Sequence, residues 1–179
     1  MLTAFKTPRL VVREYTAEDA AFVFAMYSRP EVTRYLGGTP TPMQNASEAV
    51  ERIERWRGVS APNPLVGVWA VSLRESGQLV GTVMLKRIPL SVDGTLSDDH
   101  EVGWHLHPDH WGHGYATEAA RGAIQRAFEG GLAEVLALVE AENEASQRVA
   151  ERLGMEHVGQ MARYYGMQAE LYRARADRH

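Results

Sequence analysis

The chain has 179 residues, of which 45% are hydrophobic and 23% are charged, and a formal net charge of −4. This balance predicts one domain with a buried core, spanning residues 1–179, and it disfavours a nucleic-acid partner or an anionic membrane surface. The lack of cysteine excludes disulfides, thiolate metal ligands and a cysteine nucleophile, and no window reaches the roughly 18 apolar residues of a membrane span, so we expect a cytoplasmic protein with no membrane partner.

The N-terminal third of the sequence predicts one strand and two helices. Residues Arg9–Tyr15 alternate as a half-buried strand does, and Thr16–Asp19 form a capping-box pattern that opens a helix. Proline and glycine residues then break the segment Ser28–Pro42. A second amphipathic helix, ending near Gly58, is marked by apolar residues at helical spacing: Ala46, Ala49, Val50, Ile53 and Trp56.

The middle of the chain predicts a β-hairpin followed by a strand whose two faces differ. Strand-like runs at Val66–Leu73 and Leu79–Ile88 flank a turn, and the polar segment Ser91–Asp99 predicts a loop. In the next strand, Glu101 and His105 share one face. The opposite face carries the apolar side chains of Val102, Trp104 and Leu106.

The remaining sequence alternates between helices and strands. After Gly114, mostly alanine residues at helical spacing predict a long helix that the pair Gly130–Gly131 ends. The short apolar run Val135–Val139 predicts a buried strand, parallel to the preceding one because a helix connects them. Asn143 is the predicted N-cap of a last helix that ends near Gly154. Two further strands close the chain, at Glu156–Tyr165 and Gln168–Arg175.

The segment that precedes the long helix has a pattern typical of an anion site. Gly112 and Gly114 allow a ligand to approach the backbone closely, and the first helical turn offers unpaired N–H groups at the positive end of the helix dipole. The amides of His113–Thr117, which include the small Ala116, could hold a pyrophosphate. Two glycines before a helix more often form only a turn, so these residues alone leave both interpretations open.

In its context, this segment resembles the GNAT superfamily of N-acetyltransferases, and the resemblance covers most of the chain. The stretches EVGWHLHPDHWGHGYATEA, from Glu101, and NEASQRVAERLGMEHVG, from Asn143, are similar to the branch that includes the ribosomal-protein N-terminal acetyltransferases of the RimJ/RimL type. Gly112, Gly114 and Ala116 match the superfamily's phosphate motif. Trp111 stands where Gln or Arg is usual.

The resemblance implies an α/β fold, α+β in some schemes, in which a central mixed, mostly antiparallel sheet carries helices on both faces. The strands of Glu101 and Val135–Val139 would splay apart, and acetyl-CoA, a cosubstrate used without a metal, would lie in the gap. Asn143 would bond to its pantetheine arm, although a helix cap alone also explains this residue. The predicted acetyl-CoA contacts are Leu106, His107, Gly112, His113, Gly114, Tyr115, Ala116, Thr117, Asn143 and Ser146.

Acyl transfer from a thioester to an amine needs a base that removes a proton from the nitrogen. Glu101 is the predicted base, acting directly or through water, because a substrate ammonium beside it would keep it charged until the proton moves. Glu170 or His105 could take its place. A structural role for Glu101, as a strand-end carboxylate paired with an arginine, is the alternative.

The same reaction needs an oxyanion donor and an acid that protonates the leaving thiolate. We predict the donor to be a main-chain N–H near Leu106 or His107, where the strand must bend towards the phosphate turn. Ser146 is the predicted acid, with Tyr165 as its rival, since the resemblance implies that either hydroxyl could reach the sulfur.

Two other classes of function are open at this point. Five histidines lie between His100 and His113, and two or three of them could ligate a metal in a binding module. They follow no familiar zinc spacing, so no metal site is expected. A non-catalytic acyl-CoA sensor is the other alternative, because a fold does not by itself establish an activity.

The acceptor is expected to be a primary amine, either a protein N-terminus or a small molecule. Its pocket should lie between the two N-terminal helices and the loops around Gly37–Gly38 and Ser91–Asp99. We expect a monomer or a homodimer. Four aromatic residues either line the pocket or fill the core: Tyr35, Trp56, Trp69 and Tyr164.

Overall fold

The computed structural model describes residues 3–37 and 41–177, so Gly38 and Pro40 of the predicted loop lie outside the described residues. Within these ranges the chain forms eight strands and five α-helices, and all eight strands belong to one sheet. None of the helices in these ranges combines the length and the apolar character that crossing a membrane requires.

The sheet is mixed and mostly antiparallel, as predicted. In chain order its strands are β1 (Thr3–Lys6), β2 (Leu10–Glu14), β3 (Gly67–Leu73), β4 (Leu79–Pro89), β5 (Leu96–Leu106), β6 (Glu134–Val139), β7 (Glu156–Met161) and β8 (Ala169–Arg175). They lie side by side in the order β1-β2-β3-β4-β5-β6-β8-β7. Every neighbouring pair is antiparallel except β5 and β6, which are parallel because the chain crosses over between them.

Helices cover both faces of the sheet, which confirms the predicted layers. They are α1 (Ala20–Tyr27), α2 (Pro30–Thr33), α3 (Ala46–Ser60), α4 (Tyr115–Glu129) and α5 (Glu144–Arg152). The alanine-rich face of α4 packs with α5 on one side of the sheet, against residues such as Val12 and Val71. Helices α1 and α3 pack on the other side, around Tyr15 and Ala70.

The two faces of β5 differ as the alternation predicts. Val102 and Leu106 are buried in the core beneath α4. Glu101 and His105 face the other side, where His105 contacts Tyr27 of α1. Strand β5 therefore places two titratable side chains between the sheet and the N-terminal helices.

Four elements differ from the sequence-based predictions. Strand β7 ends at Met161, so Tyr165 of the predicted strand Glu156–Tyr165 lies in the turn before β8. Strand β1 was not predicted, and the short α2 lies inside the segment that was expected to be broken. Strand β5 begins at Leu96, so the second half of the predicted loop Ser91–Asp99 is strand. Polar residues form this extension because side chains bind its backbone: the Arg87 guanidinium donates to the carbonyls of Leu96 and Ser97, and Ser97 Oγ donates to the carbonyl of Ile88 at 2.7 Å.

Candidate active site

Two cavities meet where β5 and β6 part. Within these described strands the parallel ladder joins Glu101 to Leu136 and extends no further. The inner cavity, of about 480 Å³, lies on the Glu101 face of the sheet. The outer cavity, of about 1100 Å³, runs along the N-terminus of α4. The residues that line both are Tyr35, Leu36, Trp104, His105, Asn143 and Ser146.

The turn before α4 presents its backbone to the outer cavity. Gly112 and Gly114 have φ values of 79° and 77°, in the left-handed region that glycine adopts at little cost. A Cβ on Gly112 would meet no heavy atom within 4 Å, so the backbone conformation rather than lack of room requires glycine there. Gly114 is the N-cap of α4, and no side chain among the described residues caps this helix. The predicted anion-binding residues 112–117 all line the outer cavity.

An ion pair that the sequence did not reveal holds this turn in place. The Arg9 guanidinium donates to Glu118 Oε2 at 2.6 Å and to the carbonyl of His113 at 3.0 Å. Glu118 also accepts hydrogen bonds from the Thr7 hydroxyl and from the main-chain N–H of Arg9. These partners hold the pKa of the Glu118 carboxyl below its usual value, in opposition to the effect of burial. The carboxylate nearest the helix N-terminus is thus neutralised, which leaves the helix dipole free to attract an anion.

Asn143 and Ser146 lie at the junction of the two cavities. The Asn143 Oδ1 atom accepts a hydrogen bond from the main-chain N–H of Ser146 at 3.1 Å, which confirms the predicted helix cap. The cap uses only the side-chain oxygen. The Nδ2 group is a separate donor on the same wall, so capping and ligand binding are compatible.

The Glu101 carboxylate is part of a buried polar cluster. It lies 3.2 Å from Lys86 Nζ and accepts a short hydrogen bond from the Tyr165 hydroxyl. Lys86 Nζ also donates to the Tyr165 hydroxyl, at 2.8 Å. Lys86 stands directly opposite Glu101 in the antiparallel pairing of β4 and β5, so a lysine takes the place of the arginine partner that the sequence-based alternative named.

The environment of this cluster shifts two pKa values upwards. Burial raises the pKa of the Glu101 carboxyl, while Lys86 and the Tyr165 hydroxyl lower it in part. Burial and then the Glu101 charge raise the pKa of Tyr165. The Tyr165 backbone has a φ of 57° and its N–H donates to the carbonyl of Pro89 at 3.1 Å, which fixes the side chain over the inner cavity.

A series of buried hydrogen bonds determines which nitrogen of His105 carries a proton. His105 Nδ1 lies 2.9 Å from the Tyr27 hydroxyl, which lies 3.0 Å from the Thr82 hydroxyl. Thr82 in turn lies 2.7 Å from the Tyr15 hydroxyl, which donates to the Gly81 carbonyl. The Tyr27 hydroxyl donates its one proton to Thr82, so towards His105 Nδ1 it can only accept. His105 therefore donates from Nδ1, and its Nε2 atom carries a lone pair.

The pKa of His105 is lowered to about 4 because burial disfavours the charged ring, and Lys86 and Arg52 act in the same direction. In the unfolded chain this ring titrates near pH 6.5. Between these values the unfolded chain binds a proton that the folded protein does not, so we expect the free energy of unfolding to fall by up to about 3 kcal/mol as the pH drops from 6.5 to 4. Urea denaturation across this range measures the change.

His105→Gln should remove this component of the pH dependence, because glutamine does not titrate. The exposed His113 provides the matched control: His113→Gln should leave the pH dependence as it is in the wild type. Equal slopes for the wild type and His105→Gln would contradict a neutral His105 in the folded protein.

The two predicted oxyanion donors differ in their surroundings. The main-chain N–H of His107 donates to the carbonyl of Val80 at 2.9 Å and is engaged within the sheet. The carbonyl of Leu106 accepts a hydrogen bond from the Trp111 indole at 2.9 Å. Leu106 lines the outer cavity, whereas His107 lines neither of the two. The prediction of an oxyanion donor therefore rests on Leu106.

The remaining residues that the sequence singled out divide between the core, the surface and the inner cavity. Glu170 bonds to His157 Nε2 at 2.6 Å and to Gln160, and it lines neither cavity. Trp69 and Tyr164 are buried in the core, whereas Trp56 and Tyr35 line the inner cavity. The segment Ser91–Asp99 lines neither cavity; Ser91 instead binds the turn that carries Tyr165.

The histidines between His100 and His113 do not converge. His105 bonds to Tyr27, while His107 Nδ1 accepts the main-chain N–H of Asp109. In the part of the chain that the structure describes, no three side chains of His, Asp or Glu lie close enough together to hold a metal ion.

Comparison with known proteins connects this site to a family. Residues 9–156 match the family model described as an acetyltransferase (GNAT) domain. An uncharacterised N-acetyltransferase of Bacillus subtilis, YoaA, is 29% identical over 168 residues, which cover 92% of this chain and 89% of that protein. The FsC-acetyl coenzyme A-N(2)-transacetylase of Aspergillus fumigatus is 32% identical over 157 residues, or 85% of this chain and 64% of its own length.

Solved structures show the same fold. A crystal structure of an acetyltransferase from Agrobacterium tumefaciens matches with a TM-score of 0.79 and 24% identity, covering 98% of this chain and 95% of that one. The ribosomal L7/L12 N-acetyltransferase RimL, in complex with coenzyme A, matches with a TM-score of 0.78 and 12% identity, covering 97% and 98% of the two chains. With the family match over most of its length, the chain belongs to the GNAT family and is an acetyltransferase.

Proposed function

We propose that this acetyltransferase transfers an acetyl group from acetyl-CoA to a primary amine by direct attack of the nitrogen on the thioester. The junction of the two cavities supports the proposal most strongly. The outer cavity offers main-chain donors for an anionic cofactor, the inner cavity offers polar groups for an acceptor, and both open onto Asn143, Ser146 and His105. A thioester bound at this junction would lie next to the nitrogen of an acceptor bound in the inner cavity.

The residues of the outer cavity fit coenzyme A. The amides of residues 113–117 would bind its pyrophosphate at the positive end of α4. Arg121, Arg148 and Arg152 line the same cavity and add positive charge. The Asn143 Nδ2 group would donate to the pantetheine arm. When bound, coenzyme A supplies the activated acyl group and a thiolate leaving group.

The inner cavity provides a path for the proton of the acceptor amine. His105 Nε2 carries a lone pair at the junction and would accept an N–H of the amine, which orients the nitrogen. Its low pKa makes it a poor final acceptor. Glu101 lies on the same wall of the cavity and has a raised pKa, so we propose that it takes the proton through water.

The leaving thiolate and the oxyanion require donors on the cofactor side. The main-chain N–H of Leu106 is the proposed oxyanion donor. Ser146 is half-buried and lines both cavities, and we propose that it protonates the thiolate. The Tyr165 proton is directed at Glu101, which makes this hydroxyl the less suitable acid.

Two variants of Asn143 separate its structural role from its role in binding. Asn143→Ala should lower the free energy of unfolding by about 1 kcal/mol, because the cap of α5 is lost. Asn143→Asp keeps the capping oxygen but lacks the Nδ2 donor. It should keep the stability of the wild type while its Kd for acetyl-CoA rises about tenfold. Denaturation and calorimetry measure the two effects, and an unchanged Kd in Asn143→Asp would contradict the contact.

A thiol-release assay with acetyl-CoA tests the proposed function. The acceptor panel should include small amines, amino acids and peptides with free N-termini, and calorimetry should measure acetyl-CoA binding in parallel. Turnover with an amine supports the proposal. Binding without turnover across the panel would indicate a sensor, and folded protein that binds no acyl-CoA would overturn the proposal altogether.

Four finer points stay predictions. The fold similarity to RimL is compatible with the RimJ/RimL-type branch and with a protein N-terminus as acceptor, and the peptides of the panel test that acceptor. A cytoplasmic location and the choice between monomer and homodimer are predicted from the sequence alone.

A further inference from the structure

Arg52 is a cation of the inner cavity without an acidic partner. It lies on α3, half-buried, with its Cζ atom 4.9 Å from the centre of the Tyr27 ring. Among the described residues no carboxylate forms an ion pair with it. A half-buried guanidinium that faces a cavity and lacks a counter-ion is a ready site for an oxyanion, which it can bind through two parallel hydrogen bonds.

The inner cavity also contains an acid without a partner. Glu140, which directly follows β6, lines the cavity and forms no ion pair with any described cation. Lys86 and Glu101 neutralise each other through their 3.2 Å contact. Among the described charged residues that line this cavity, one cation, Arg52, and one carboxylate, Glu140, therefore remain available to bind a ligand.

The position of Arg52 relative to the junction is set by Tyr27. The Tyr27 ring contacts both Arg52 and His105: its centre lies 4.9 Å from Arg52 Cζ and 5.9 Å from the centre of the His105 ring, and its hydroxyl bonds to His105 Nδ1. An anionic group on Arg52 would thus lie one side chain away from the nitrogen that orients the amine. Amine and anion must then be close together in the acceptor.

The other residues that line the inner cavity indicate what the rest of the acceptor is like. Trp56, Met84, Leu138 and Met167 add apolar surface to the cavity, whose volume is about 480 Å³. Such a volume suits one small molecule with an apolar side chain.

We propose that the acceptor is a small zwitterionic amine, similar to an amino acid, whose carboxylate is held by Arg52 and whose nitrogen is received at His105, with Glu140 adding negative charge to the same cavity. This substrate class rests on the proposed acetyl transfer. It excludes a protein N-terminus, because the carboxyl group of an N-terminal residue is an uncharged amide. A carboxylate fits better than a phosphate dianion, since Arg52 is the one unpaired cation among the described residues that line this cavity.

The test compares natural amino acids, each with its primary amide and its decarboxylated amine, in the thiol-release assay. For the best acceptor, we expect the free acid to have a kcat/KM about 10- to 100-fold above those of the amide and the amine, the range for a hydrogen-bonded ion pair. Arg52→Gln should remove this preference by raising the KM of the acid, with little change for the two derivatives that lack the carboxylate. Arg55→Gln is the matched control, because Arg55 is exposed on the same helix.

Calorimetry with CoA-saturated protein gives a second readout that does not need turnover. Binding of the acid but not of its amide, lost in Arg52→Gln and kept in Arg55→Gln, would support the zwitterion site even if no acetyl transfer occurs. Turnover or binding that favours the amide, the decarboxylated amine, a peptide or an aminoalkyl phosphate would overturn it. So would an equal loss of kcat/KM for acid and amine in Arg52→Gln.

Discussion

Replacing Glu101 by glutamine should lower kcat about 100-fold, within the range that positioned general bases contribute. The amide has nearly the same shape as the carboxylate but cannot take the proton of the amine. Because Glu101 lines only the inner cavity, the Kd for acetyl-CoA should stay unchanged. Steady-state kinetics with the best acceptor, together with calorimetry, measure both quantities.

The pH profile identifies the cause of this loss. Burial raises the pKa of Glu101, so in the wild type kcat should fall as the pH drops through a value above that of an ordinary glutamate. The Glu101→Gln variant should lack this step. Glu170→Gln is the control, since Glu170 bonds to His157 outside both cavities, and its kcat should match the wild type. A loss below threefold in Glu101→Gln would show that another group accepts the proton.

Removing Glu101 also leaves Lys86 without its counter-ion, which could affect the cavity by itself. The double variant Lys86→Met with Glu101→Gln removes both charges. If the loss of kcat comes from the missing Glu101 carboxylate, the double variant should have the same kcat as Glu101→Gln. Recovery of kcat in the double variant would instead assign the loss to an unpaired lysine.

Gly81→Ala should destabilise the protein by about 3 kcal/mol, the upper part of the usual range for overpacking. A Cβ on Gly81 would overlap the main-chain oxygen of His105 and would lie 3.0 Å from the Cα atom of Leu106. Main-chain atoms of a central strand cannot rotate away, so β4 and β5 would have to separate. That movement would displace His105 and Leu106 at the junction of the cavities, so activity should fall as well.

Urea denaturation measures the stability of Gly81→Ala against a second glycine variant. Gly58 lies in α3, and a Cβ there would meet no heavy atom within 4 Å. Gly58→Ala should therefore raise the free energy of unfolding by up to about 1 kcal/mol, because alanine favours a helix. Wild-type stability in Gly81→Ala would mean that the two strands are less tightly packed than described.

The sequence predicts the cofactor side of the site well because that side is local. Gly112, Gly114 and the helix that follows occupy consecutive positions, and Asn143 caps its own helix. Periodicity and capping rules depend on such short-range relations. The face of β5 that carries Glu101 and His105 follows from alternation for the same reason.

The acceptor side was predicted poorly because long-range contacts build it. Lys86 meets Glu101 through the register of β4 and β5, and Arg52 reaches the cavity only because α3 packs on Tyr27. The register of β4 and β5 shifts between Arg87 and Pro89, so counting back from their connection does not pair Lys86 with Glu101. No short-range pattern distinguishes Arg52 from the exposed Arg55. Likewise, Arg9 lies more than 100 positions before Glu118.

The two halves of the site come from different parts of the polypeptide, and this division bears on how such enzymes diversify. The segment from β5 to α5 supplies most of the outer cavity, and N-terminal residues such as Arg9 and Tyr35 supply the rest. Helices α1 and α3 and the turn between β7 and β8 complete the inner cavity. Mutations in α1, α3 or the turn between β7 and β8 can change which compound is acetylated and leave the proposed coenzyme A contacts of the outer cavity unchanged. Paralogous genes can thus acquire new substrates without rebuilding the donor apparatus.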